Sequence, residues 1–340
     1  GGFNASWLLQ KSSNSSSKEL QSSMEDIIKK KQYENFDGWV ANFASNLPNI
    51  WNENSAKKLN LKIQNFEKEK NSAIVIGRGP SINKFEHLKL LAESNYQGSI
   101  VCSDGILSNA LKAGVTPDKF PKFFVVTIDP YPFVKKHYEH EIIKSYGSKI
   151  KGIFTVITNP EVVEKARDAE IQIHWLHSLF DYNEGKKSFN NLSALMIRAK
   201  NIEHKLPAIQ TGGNAGTAAW FISWQILKCS TVALIGINHG HEEDDPLETI
   251  IYHNNKEELS EGVDRDSITF QKLYKKVYNP DFNCICILDP LYQFYSEALK
   301  EFISRSPDWL TTINATEGGS IFGERIKSMK FRNFLEKYKI

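Results

Sequence analysis

The chain has 340 residues, 41% hydrophobic and 24% charged, the composition of an ordinary globular protein with room for one large α/β domain and an appendage. Its formal net charge of +2 excludes the global basic field that nucleic-acid binding calls for. The four cysteines, Cys102, Cys229, Cys284 and Cys286, form no C-x-x-C pair, so neither a zinc site nor a disulfide framework is expected, and this usage fits a reducing cytoplasm.

Residues 1–20 are polar and serine-rich, the composition of a disordered or loosely attached arm, with no signal-peptide pattern. Residues 21–70 read as a helical N-terminal region. Trp39, Phe43, Leu47, Ile50 and Trp51 fall on one face of an amphipathic helix, which either packs on the main domain or offers an oligomer contact. From residue 71 to 340 strands and helices alternate. Strands are predicted at Ala73–Ile76, Ser99–Cys102, Phe123–Ile128, Gly152–Val156, Gln172–Trp175, Thr231–Ile235 and Cys284–Leu288. Helices are predicted at Glu86–Glu93, Leu107–Ala113, Glu161–Asp168, Thr217–Lys228 and Leu291–Arg305. This alternation means an α/β fold, a mostly parallel sheet with helices on both faces, whose ligands sit beyond the carboxyl ends of the strands. The longest apolar stretch, Thr217–Ile237, carries Gln225, Lys228 and Ser230 and reads as a buried helix and strand rather than a membrane span. Residues 242–279 begin acidic and lack apolar periodicity, so they read as a long excursion, either a lid or a solvated insertion.

The chemistry collects after the strands. The run Ala73–Ile76 ends in Gly77-Arg78-Gly79-Pro80-Ser81, where Gly77 and Gly79 let the backbone approach an anion and Ser81 can cap the next helix. No third glycine follows and Pro80 sits in the turn, which argues against the dinucleotide fingerprint. Asp104 follows the second strand; it either holds a ribose hydroxyl or a metal, or caps the next helix. Asp129 follows the third, before Pro130, so the two carboxylates can share Mg²⁺ against a diphosphate. Thr211-Gly212-Gly213-Asn214-Ala215-Gly216-Thr217 is a second glycine-rich loop before an apolar helix, either an anion cradle or a tight helix–sheet contact. His239 and His241 follow Gly236, and His253 lies in the excursion; each is a candidate general base. Asn314, Thr316 and Glu317, in a polar glycine-bearing loop, can hydrogen-bond a ligand.

Taken in order, Gly77–Ile82, Asp104-Gly105, Gly114-Val-Thr-Pro-Asp118, Asp129-Pro130, Thr211–Ala218, Leu234-Ile-Gly236 and Asn314–Gly319 resemble the family that groups archaeal 6-hydroxymethylpterin diphosphokinases with the motility-accessory-factor (Maf) flagellin glycosyltransferases. The resemblance runs from about Ala73 to Ile326. Gly212–Thr217 and Asn314–Gly319 bring it closer to the Maf-like branch, which commonly has an Asp where this chain has Ile237-Asn238. The Gly-x-Gly-Pro-Ser loop is similar to that of Rossmann-like bacterial sialyltransferases as well. The resemblance implies a Rossmann-like catalytic domain and a nucleotide-activated donor, a CMP-linked nonulosonic acid, whose sugar passes to a hydroxyl acceptor. On that reading Gly77–Ser81 and Thr211–Thr217 hold the nucleotide, Asp104 and Asp129 orient the donor directly or through Mg²⁺, and a histidine is the base. Two alternatives stay open: pyrophosphoryl transfer from ATP to a pterin alcohol, and nucleotide binding without turnover.

Overall fold

The computed structural model describes residues 37–59, 71–178, 206–252, 266 and 268–338. Residues 37–52 form the first helix, α1. Trp39, Phe43 and Ile50 are buried along it as the spacing predicts, whereas Trp51 turns outward and is 42% exposed. A short strand, Asn54–Ser55 (β1), follows.

The main sheet then builds in chain order. Ser72–Ile76 (β2) is followed by two short helices, Ser81–Lys84 (α2) and His87–Ala92 (α3). Ser99–Ser103 (β3) leads to Leu107–Lys112 (α4), and Phe123–Thr127 (β4) to a 3₁₀ turn, Pro132–Tyr138, and to Glu141–Tyr146 (α5). Next come Lys151–Thr155 (β5), Pro160–Asp168 (α6), Gln172–Ser178 (β6) and Ala208–Ile209 (β7). Ala215–Phe221 (α7) continues as a π-helical turn, Ile222–Ile226, where Ser223 donates to the Ala219 carbonyl at 2.7 Å. Thr231–Ile235 (β8) is buried at every residue, like β2, β3 and β4, as strands covered on both faces must be.

The remaining elements are His241–Glu242 (β9), Leu247–Tyr252 (α8), Ile268–Leu273 (α9), Lys275–Asn279 (β10), Cys284–Leu288 (β11), Pro290–Ser304 (α10), Thr311–Asn314 (β12), Ile326–Ser328 (β13) and Phe331–Lys337 (α11). The main sheet runs β1-β6-β5-β4-β3-β2-β8-β12-β13, all pairs parallel, with β7 beside β6. One apolar core on one face gathers α1, α3, α4 and α11; the other face holds Trp220, Phe221, Leu299 and Ile303 of α7 and α10. The fold is thus the α/β sandwich expected.

Three sequence readings are corrected here. Cys284–Leu288 does not join the main sheet; it pairs antiparallel with β10 and β9 in a separate three-stranded sheet. A short apolar run looks the same in either setting, and its sheet is decided by partners remote in sequence. Asn314 ends a strand rather than lying in a loop: the β-branched Thr311-Thr312-Ile313 carries the chain between β8 and β13. The stretch 242–279 carries helices α8 and α9 and strand β10 among its described residues. Among the described residues no helix is long and apolar enough to cross a membrane.

Candidate functional site

Strand order reverses between β2 and β8: the chain moves outward from β2 through β3, β4, β5 and β6, then returns to add β8, β12 and β13 on the other side. The crevice beyond the carboxyl ends of such a pair is where open α/β sheets bind ligands. Here the floor of the crevice is closed by backbone contact. A Cβ on Gly77 would stand 2.5 Å from the Gly236 carbonyl oxygen, and one on Gly236, whose φ is +68°, would stand 2.3 Å from the Gly77 oxygen. The N–H groups of Gly77 and Gly79 donate to the carbonyls of Ile235 and Gly236 at 2.9 and 2.8 Å. These glycines therefore join two loops, and their N–H groups are turned away from any anion. Ser81 is the first residue of α2 and makes no side-chain cap; Pro80 occupies the N-cap. Its buried hydroxyl instead accepts from Asn238 Nδ2 at 2.9 Å, tying the β2 exit to the β8 exit.

What this loop offers outward is the side chain between its glycines. Arg78 is exposed and forms no salt bridge with any described residue. It lies across Gly105, where a Cβ would meet its Cδ and Nη1 at 3.0 and 3.1 Å. Beneath it are the two predicted carboxylates. Burial, with the neighbouring Asp129 charge, pushes the Asp104 carboxyl up to about 7; the hydrogen bond from Thr127 Oγ1, at 2.9 Å, and Arg78 act against that rise. Burial raises Asp129 too, again against Arg78. Two mutually repelling carboxylates and one guanidinium leave an incompletely neutralised pair. Among the described residues no three His, Cys, Asp or Glu side chains converge as a metal-ligand set. A hard cation here would therefore take its remaining ligands from phosphate oxygens or water.

The opposite wall comes from α10 and the loop before α7. Tyr295 packs against Gly213: a Cβ on that glycine, at φ +84°, would stand 3.0 Å from Tyr295 Cε1. Burial holds the phenols of Tyr292 and Tyr295 well above their usual range, with Asp289 acting on both and Asp129 on Tyr295. Within the loop, Gly213 N–H donates to Thr211 Oγ1 at 3.2 Å and Asn214 Oδ1 caps α7 by accepting from Thr217 N–H at 2.9 Å. Gly212, at φ +58°, leaves room for the Thr217 methyl, and Gly216 for Ile237. Thr217 Oγ1 is buried with no hydrogen-bond partner among the described residues.

Both described histidine candidates flank the crevice. His239, in a left-handed backbone conformation at φ +42°, has its ring 6.0 Å from that of Tyr295 and 6.4 Å from that of Tyr292. His241 has its ring 5.0 Å from Tyr292, and its Nε2 lies 2.7 Å from Asp289 Oδ2. Asp289 also accepts from Tyr292 N–H at 2.8 Å as the N-cap of α10. His253 lies outside the described residues. His241 also lines a small open cleft with Lys84, Glu242, Cys284, Cys286 and Glu317.

The loop after β12 turns inward. Asn314 donates to the Ile321 carbonyl at 2.7 Å, and Thr316 Oγ1 accepts from Ile237 N–H at 3.3 Å; both residues are fully buried. Glu317, at φ +63°, bonds His87 Nε2 at 2.6 Å and accepts from Phe331 N–H at 3.2 Å. Asn314 and Thr316 thus brace the β8 exit, and the carboxylate of Glu317 is committed to α3 and α11.

Sequence reasoning missed Arg78, Asp289, Tyr292 and Tyr295. Arg78 stood inside the motif, where attention goes to glycines. The Asp289-Pro290 pair is a helix-start signal, yet nothing local connects it to a histidine 48 residues away.

The family model for 6-hydroxymethylpterin diphosphokinase MptE-like proteins matches residues 41–244, more than half of the chain. The chain belongs to the MptE-like family. Among solved structures, this MptE-like chain is similar to the Maf glycosyltransferase from Magnetospirillum magneticum AMB-1, with a TM-score of 0.52 and 14% sequence identity over 86% of the chain. It spans 41% of that protein's chain, so the likeness is one of fold over part of a longer molecule. Among curated proteins, none matches by sequence. Diphosphokinases and glycosyltransferases are both group-transfer enzymes. The span 41–244 contains Arg78, Asp104, Asp129, Thr211–Thr217, His239 and His241, and stops short of Asp289 and the tyrosines of α10.

Proposed function

We propose that this MptE-like chain is a nucleotide-dependent transferase, and specifically a glycosyltransferase that moves a sugar from a CMP-activated donor to a hydroxyl acceptor. One observation carries the reading: Arg78, an exposed guanidinium with no salt bridge to any described residue, acts on two half-buried carboxylates where the strand order reverses. An arginine at a crevice can donate parallel charge-assisted hydrogen bonds to the oxygens of a phosphate. Arg78 takes the donor phosphate, the loop Thr211–Thr217 and Tyr295 form the facing wall, and Asp104 and Asp129 orient the sugar. The imidazole of His241, with its Nε2 edge held by Asp289, removes the proton from the acceptor hydroxyl as that oxygen bonds the sugar carbon and the carbon–oxygen bond to CMP breaks, CMP leaving with the bonding electrons.

A second reading rests on the carboxylate pair. Two neighbouring half-buried acids beside Arg78 also fit pyrophosphoryl transfer from ATP, with Asp104 and Asp129 holding Mg²⁺. The ion's role there is to neutralise the phosphate charge.

Calorimetric titration of CMP, CDP, ATP, GTP and UDP, each with and without Mg²⁺, separates these. Selective, metal-independent CMP binding is expected. Mg²⁺-dependent ATP binding puts pyrophosphoryl transfer first, and absence of binding to all five rejects the nucleotide reading. Tight binding without turnover across a donor and acceptor panel leaves a binding protein rather than an enzyme.

A further inference from the structure

Beyond Asp129 the chain does something the chemistry above does not use. The 3₁₀ turn Pro132–Tyr138 displays Phe133, 49% exposed, at the rim of a polar crevice. Its ring stacks on Tyr131, with centroids 5.5 Å apart and planes 10° from parallel. Tyr131 stands two residues beyond Asp129, so the stacked pair borders the crevice where that carboxylate sits. Lys136 sits loosely over the outer ring, its Nζ 5.7 Å from the centroid. Next to it, His137 is driven down to about 4 by burial and by the charges of Arg78, Lys136 and His140. The far end of the turn is tied to the crevice by hydrogen bonds: the Tyr138 hydroxyl lies 2.5 Å from Thr127 Oγ1, which donates to Asp104 Oδ2 at 2.9 Å.

We propose that this turn is the recognition wall for the nucleotide donor, with the base stacked on Phe133 and the phosphate bridging Arg78 and Lys136 beside His137. The inference rests on the donor reading above and adds which residues select the donor. An exposed aromatic face and a pair of cations each admit several ligands. Together they fit a molecule carrying both a flat π-system and an anion, which a nucleoside phosphate does and neither a neutral glycan nor an acidic sugar does. Phe133 stacks one face on Tyr131 and leaves about half of its surface in water, so an aromatic face at the crevice rim is open to a base.

The test is calorimetric titration of the full chain with CMP, with ribose 5-phosphate as a probe lacking the base, and with cytidine as a probe lacking the phosphate. Phe133→Ala is expected to weaken CMP about tenfold or more, the scale of one lost base–aromatic stack, and to leave ribose 5-phosphate unchanged. Phe133→Trp is expected to restore CMP binding. Lys136→Ala is expected to weaken CMP and ribose 5-phosphate but not cytidine. Unchanged CMP affinity in Phe133→Ala, with a wild-type chain that binds CMP, overturns this inference and leaves the donor reading standing. A wild-type chain that binds none of the nucleotides overturns both. Loss of acceptor KM alone, with CMP affinity intact, reassigns the turn to the acceptor and equally overturns it.

Discussion

His241 Nε2 lies 2.7 Å from Asp289 Oδ2, and that carboxylate is fully buried. A buried acid that fixes one edge of an imidazole sets its tautomer and ring orientation, the arrangement a general base needs. His241→Asn is therefore expected to lower kcat by about 10²–10⁴ while sparing CMP affinity. Asp289 also caps α10, so its substitutions separate two roles. Asp289→Asn keeps a capping oxygen and should lower kcat with little change in Tm. Asp289→Ala should lower kcat equally and cost about 1 kcal/mol of stability besides. Steady-state kinetics beside thermal melts read both, and full turnover in His241→Asn would remove this residue as the base.

Arg78 makes the sharpest binding prediction. It forms no salt bridge with a described residue, so Arg78→Ala should leave stability nearly unchanged. CMP affinity should fall about tenfold to a hundredfold, the loss of a charge-assisted contact of about 1.5–3 kcal/mol. Arg78→Lys should recover only part of that, because an ammonium does not reproduce the guanidinium fork. A large drop in Tm would instead assign Arg78 to holding the Asp104–Asp129 pair together.

Asp104 predicts a pH dependence of stability. Its folded value near 7 lies above the ordinary carboxyl value of 3.8, so the native state resists its ionisation. Its contribution is accordingly fully present below about pH 4, is lost as pH rises toward 7 and stays constant above that. Asp104→Asn removes the ionisation while keeping an acceptor for Thr127. The variant should melt higher than wild type at pH 8, and the gap should close at pH 4.5. An equal gap at both pH values would show that the folded state does not hold this carboxyl against ionisation.

Gly236→Ala tests the closed floor of the crevice. The new methyl would meet the Gly77 carbonyl oxygen at 2.3 Å, in a backbone conformation that already disfavours L side chains. A loss of about 2–4 kcal/mol is expected from chemical denaturation. Gly38, around which no atom lies within 4 Å of an added Cβ, serves as the neutral control.

The strand ladder was legible in the sequence because a parallel sheet buried on both faces needs short β-branched runs, and β2, β3, β4 and β8 are such runs. Their carboxyl ends were legible for the same reason, so Asp104, Asp129, His239 and His241 could be placed just beyond strands. What could not be read was which groups face inward. Gly77 and Gly79 look alike whether their N–H groups greet a phosphate or a neighbouring loop. The difference lies in Gly236, which is 159 residues beyond Gly77 and adjacent only because β2 and β8 pair. Glu317 looked available for a ligand until α3 brought His87 against it. The β11 strand carried the right residues for the main sheet and joined another, since register and partner are tertiary properties.

The amide of Asn42, on α1, donates to the carbonyls of Pro130 and Ile157, each at 3.0 Å, and Asn46 one turn later donates to Val156 and Thr158. One helix thus clasps the exits of β4 and β5, the first of them a single residue past Asp129. Every glycine and acid motif lies downstream of residue 72, so a fragment trimmed to the motifs would keep all the chemistry and lose the clasp that fixes where one carboxylate stands. The family match opens at residue 41, just ahead of Asn42. The clasp therefore falls inside the matched span, on a helix that carries no motif at all.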